Sequence, residues 1–77
     1  MTTLFATAGQ YTRALDIACD FIAHNGFDIH RHRIRTAILE AMPELKDLPP
    51  DELSDLLYEA SEEAFLVLEE AARQEAL

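Results

Sequence analysis

Over 77 residues this chain carries only five that readily interrupt a helix: Gly9, Gly26, Pro43, Pro49 and Pro50. Between them apolar residues recur at steps of three and four, and no strand-like alternation of apolar and polar residues occurs. Chains punctuated in this way build helices, and three are predicted, at about Thr3–His24, Ile29–Met42 and Pro50–Ala76. The expected fold class is all-α: a three-helix up-down-up bundle with a long C-terminal helix, in a single domain over residues 1–77.

In the first helix, Leu4, Ala8, Tyr11, Leu15, Ala18 and Ile22 share one stripe, with Ala14 and Phe21 on one flank and Cys19 on the other. Arg13, Asp16, Asp20 and His24 share the opposite, wet face. Asn25-Gly26 reads as the stop, with glycine in the left-handed conformation and Phe27 folding back as its apolar contact. Gly9 costs up to ~1 kcal/mol relative to alanine inside a helix. Two readings stay open there: a close packing contact, or a helix that begins later.

Asp28 is the expected N-cap of the second helix, whose inner face is read as Ile34, Ala37, Ile38 and Ala41, with Met42 beside them. Pro43 ends that helix or starts a separate short turn through Leu45. In the third helix Pro50 suits the first position, while Asp51 and Glu52 suit the positive end of the dipole. Its predicted core stripe is Leu53, Leu57, Ala60, Ala64, Val67 and Ala71, flanked by Leu56 and Leu68. This helix rises roughly 40 Å at about 1.5 Å per residue. The second is about half as long, so the connector or another chain must cover the remainder.

Charge is distributed as unevenly as length. The net charge is −9, yet residues 1–46 balance five acids against five bases, while residues 47–77 set ten acids against the single Arg73. The one basic concentration is His30-Arg31-His32-Arg33-Ile34-Arg35. Cations at a helix N-terminus oppose its dipole, so compensation is expected from Asp16, Asp20, Glu69, Glu70 and Glu75. That pairing leaves Asp51, Glu52, Asp55, Glu59, Glu62 and Glu63 without internal counter-ions. Their spacing is one charge per ~3.3 Å of helix axis, close to the ~3.4 Å of one B-DNA strand. Tyr58 and Phe65 are expected at one margin of the core stripe, and Leu66 among the acids. These nine residues form the candidate partner-binding set, with Leu39, beside His32 and Arg35, a weaker candidate.

Signals for chemistry are sparse. His30 and His32, two apart on a helix, point about 200° from each other and cannot readily share an ion; His30 is expected to be partly buried on the inner side of helix two. Asp20 and His24 are one turn apart and can hydrogen-bond, but Cys19 lies on a different face from His24, so no nucleophile–base pair forms. No catalytic, cofactor-binding or metal residues are assigned. No apolar run approaches ~18 residues, and residues 1–5 lack the basic start and apolar stretch of a signal peptide. A single cysteine fits a reducing, cytoplasmic setting. Strong acidity argues against direct contact with nucleic acid or anionic lipid.

The expected function is a small acidic, non-enzymatic protein-protein interaction module, an inhibitor that occupies a basic, nucleic-acid-binding surface of a partner. In character (tiny, acidic, without an active site) the chain is similar to inhibitor proteins of phages and mobile elements, including anti-CRISPR and antirestriction proteins. That resemblance is one of profile and carries over no residue. The alternatives are a self-associating helical accessory subunit, closed as a homodimer by its exposed apolar residues, and a small DNA-contacting regulator using His30–Arg35.

Overall fold

Thr7 opens the first helix with a reciprocal pair of hydrogen bonds. The Gln10 backbone N–H donates to Thr7 Oγ1 at 3.0 Å, and the Thr7 N–H donates to Gln10 Oε1 at 2.9 Å. Two of the helix's orphan donors are thereby satisfied. In the computed structural model, which describes residues 7–75, α1 spans Ala8–Asn25, α2 Arg31–Ala41, a 3-10 turn Pro43–Asp47, and α3 Pro50–Glu75, with no strand among the described residues. The chain is an all-α bundle. Leu4, the start expected at Thr3 and the end expected at Ala76 lie outside the described residues. The later of the two readings at Gly9 holds: the glycine sits exposed in the first turn, and a Cβ there would meet only Thr7 Oγ1, at 3.8 Å.

The exit from α1 differs from the expected left-handed cap. Gly26 has φ 88° and ψ 172°, an extended conformation at positive φ that is essentially confined to glycine, and its N–H donates to Ile22 O at 2.7 Å. Because the chain leaves α1 extended, residues 27–29 form a turn and α2 begins only at Arg31. Asp28 therefore falls two residues too early to cap it. His30 is the N-cap instead; it is exposed, not partly buried as expected, and makes no capping hydrogen bond through its side chain.

Pro43 does start a separate turn. Successive bonds from Leu45 N–H to Met42 O (3.1 Å) and from Leu48 N–H to Leu45 O (3.0 Å) carry the chain to Pro49, whose carbonyl accepts the Leu53 N–H at 2.9 Å as α3 begins. Pro50, the first residue of α3, loses nothing by lacking a donor.

The core is Ala14, Ala18 and Ile22 from α1; Ile34 and Ile38 from α2; Met42, Leu45 and Leu48 from the connector; and Leu56, Leu57, Ala60, Ala64 and Phe65 from α3. Ala41 is exposed, because Met42 and Leu45, which follow it, fill the core at that end. Buried Ser61 satisfies its hydroxyl by donating to Leu57 O at 2.7 Å. Thr7, Ala8, Tyr11 and Thr12 border Glu52, Asp55, Leu56 and Glu59, while Ile22, Ala23, Gly26 and Phe27 border Leu68, Ala71, Ala72 and Glu75. Helices α1 and α3 therefore run side by side in the same direction.

One expected stripe is wrong in a regular way. Along α3 the buried residues begin with Leu56, Leu57 and Ala60 and continue as Ser61, Ala64 and Phe65. At about 100° per residue, that seam drifts around the helix instead of running straight, as it does when helices cross at an angle. Val67 and Ala71 continue the first row, so they leave the core and are exposed.

The two glycines should respond oppositely to alanine. Gly9→Ala adds a Cβ in open helical geometry and is expected to raise stability by about 0.5–1 kcal/mol. Gly26→Ala meets no neighbour within 4 Å, yet its backbone should cost about 1–3 kcal/mol. Urea midpoints at a constant m-value measure both; a neutral Gly26→Ala would mean the exit relaxes to another conformation.

Candidate protein-docking face on the third helix

Helix α3 is built to show acids on one side because its apolar residues are used up on the other. At its start Asp51 and Glu52 favour the positive end of the helix dipole. Asp55, Glu59 and Glu63 then recur every four residues along the outside, and all three are exposed. Asp51 is exposed too, and Glu52 is half-buried. None of these five carboxylates has an ion-pair partner among the described residues. Tyr11 of α1 lies within their field: burial chiefly, then Glu63 and Glu59, push its phenol above the ordinary tyrosine value.

The sixth expected acid behaves differently. Arg31, the first residue of α2, grips Glu62 with one edge of its guanidinium, Nε donating to Oε1 at 2.6 Å and Nη2 to Oε2 at 3.2 Å. That fork geometry is the one guanidinium and carboxylate favour. The hydrogen bond holds the Glu62 carboxyl below its ordinary value, assisted by the charges of Arg31 and Arg35. Glu62 is therefore part of the fold. The direct ion pair of the basic segment is with Glu62 and not with Asp16, Asp20, Glu69, Glu70 or Glu75, because α2 starts opposite the middle of α3; of those five, Glu69 still acts on Arg31 through its charge. Asp20 instead faces His24, whose Nδ1 lies 2.8 Å from the Asp20 carbonyl and 3.6 Å from Oδ1. Arg35 is half-buried beside this cluster, its Nε buried without a hydrogen-bond partner among the described residues.

Phe65 also moves from the expected docking set into the core. It is 6% exposed. The Arg31 guanidinium lies over its ring at 4.4 Å from the centroid, and Phe27 packs against it with centroids 6.1 Å apart and planes tilted by 39°. Phe27 thus contacts α3, where a fold-back onto its own helix end was expected. Tyr58 and Leu66 do stand outside, at 55% and 60% exposure. Leu39 is half-buried and packs on the core. The sequence reading missed Val67, 43% exposed; its position three residues after Ala64 suggested burial, and only the drift of the seam reveals otherwise.

Chemistry elsewhere is muted. Cys19 is half-buried, and burial first, then Asp16 and Glu63, push its thiol above the ordinary cysteine value. Such a thiol stays protonated and makes a poor nucleophile. Among the described residues no helix is long and apolar enough to cross a membrane. No protein-family model matches the chain, and no curated protein or solved structure shows significant similarity to it.

The Arg31 clasp gives a signed pH prediction. The folded state lowers the Glu62 pKa, so the stabilisation is present above the unfolded value of about 4.3 and fades as pH falls through the lower folded value. Glu62→Gln should melt below the wild type at pH 7, and the two melting curves should converge as the pH is lowered through the depressed carboxyl value. A gap that is constant across this range would show that Glu62 stabilises by packing. Phe65→Ala should cost about 3–5 kcal/mol as a core truncation, measurable in the same melts.

Proposed function

We propose that this chain is a non-enzymatic interaction module that docks through the outer face of α3 onto a cationic protein surface, such as a nucleic-acid-binding groove, and occludes it. The observation carrying this reading is the combination on one rigid helix of five carboxylates without an ion-pair partner among the described residues (Asp51, Glu52, Asp55, Glu59 and Glu63) and the exposed Tyr58 and Leu66. Unpaired charge supplies long-range attraction, which accelerates encounter and weakens with salt. Exposed aromatic and aliphatic side chains supply the contact that persists once the surfaces meet. A thiol held protonated and half-buried fits a module without covalent chemistry.

With Glu62 committed to Arg31, five free charges remain over roughly 20 Å of helix, about one per 4 Å. That is sparser than a B-DNA strand at ~3.4 Å, so the reading rests on docking with apolar support more than on copying a phosphate backbone. A reducing, cytoplasmic location is part of the proposal, because basic nucleic-acid-binding partners reside there and the lone Cys19 needs no disulfide partner. Inhibition of the kind practised by phage and mobile-element proteins is the simplest use of such a module.

Affinity capture from lysate, eluted with a salt ladder and repeated with competing duplex DNA, tests the reading. The wild type should retain basic proteins that DNA displaces, and Asp55→Lys/Glu59→Lys should lose them by at least about tenfold. Both positions are exposed, so the fold should survive. Retention that ignores the reversal removes the acidic face from the function.

A further inference from the structure

The outer face of α3 is interrupted at one place by adjacent apolar side chains. Leu66 and Val67, 60% and 43% exposed, line a shallow furrow together with Glu63 and Glu70. Glu63 and Glu70 are seven residues apart, so their carboxylates bracket the apolar pair over about 10 Å, two helical turns. Neither carboxylate has an ion-pair partner among the described residues.

Resting on the docking function above, we infer that this furrow is the anchoring point, and that its occupant is an amphipathic helical segment of the partner. That segment seats an aliphatic side chain on Leu66 and Val67, and a lysine or arginine on each side reaches Glu63 and Glu70. A helix meets this requirement because its residues i and i+7 lie on one face about 10 Å apart, with i+3 or i+4 between them. Charge decides against the other occupants. A second copy of this chain, itself carrying −9, would in a symmetric contact bring two pairs of Glu63 and Glu70 around the same apolar patch. Like charges facing each other across an interface oppose association. Anionic lipid is repelled by the same rim.

Two synthetic stapled helices of identical composition test the inference by chemical-shift titration of isotopically labelled protein. One carries lysine, leucine and lysine at i, i+3 and i+7 on a single face; in the other the leucine is moved to the opposite face. At a salt concentration of about 0.15 M the first should bind at least about tenfold more tightly, with shifts centred on Glu63, Leu66, Val67 and Glu70. Leu66→Ser/Val67→Ser, both at exposed positions, should abolish that preference while leaving the melting curve in place. Equal binding of the two peptides overturns the anchoring furrow but leaves the cationic docking face standing. Binding of neither, even at low salt, overturns both. Self-association that perturbs Leu66 and Val67, with no peptide preference, makes a second copy the occupant and overturns the inference.

Discussion

Unequal helix length governs this bundle. The 26 residues of α3 rise about 39 Å, against about 27 Å for the 18 of α1 and about 17 Å for the 11 of α2. Neither shorter helix alone can cover the longest from end to end, and the molecule is correspondingly drawn out, 51 Å by 20 Å by 16 Å. The buried seam follows whatever support is at hand. Near Pro50 the connector contributes Leu45 and Leu48 to the shared core; farther along, the first turn of α2 and the loop before it bring Arg31 and Phe27 against Phe65. The seam turns toward that support, and Val67 and Ala71 on the other flank are left uncovered. Exposed apolar surface on α3 is thus a geometric consequence of the fold, and the acids around it keep that surface in water.

Arg31 resolves two problems with one side chain. Helix α2 starts without a side-chain cap and with cations in its first turn, which its own dipole disfavours. A carboxylate from α3 supplies the missing anion, and the flat face of the same guanidinium covers Phe65. The ion pair is solvent-exposed on both sides, so its worth lies less in binding strength than in where it fixes the start of α2. It also divides the six acids between Asp51 and Glu63 into one that belongs to the structure and five that have no ion-pair partner among the described residues. A helix displaying only unpaired acids would be a polyanion; this one is a charged rim around apolar contacts.

Much of the fold was legible in the residues. Prolines and Gly26 mark the helix ends, and steps of three and four identify Ala14, Ala18, Ile22, Ile34, Ile38, Leu57, Ala60 and Ala64 as interior. The start of α1 was legible too, because Thr7 and Gln10 spell a capping box, but the apolar stripe running back to Leu4 obscured it. What could not be read is height. A helical wheel gives the angle of each side chain and assumes that one straight neighbour covers one angle throughout. Glu62 was assigned outward, and Phe65 to the margin of the core stripe, on that assumption. Their true surroundings depend on α2 beginning at Arg31 and not Ile29, which depends in turn on the extended backbone of Gly26. A two-residue shift in a cap therefore relocated two members of the candidate site.

The remaining members of the face differ in what they can contribute. Asp55 and Glu59 sit where no large apolar group is exposed beside them except Tyr58, so they act mainly at a distance, through a field that salt screens within about 10 Å. Glu63 and Glu70 flank Leu66 and Val67, so a charge meeting them also meets surface from which water must leave. Attraction strengthens as the local dielectric falls, and only a partner that brings cations and an aliphatic group in the right order gains both terms. A polycation without an apolar group gains the first alone, and an uncharged hydrophobic segment strands the two carboxylates against a dry contact. Selectivity in this reading comes from the order of charged and apolar groups along α3, which the drift of the core seam determines.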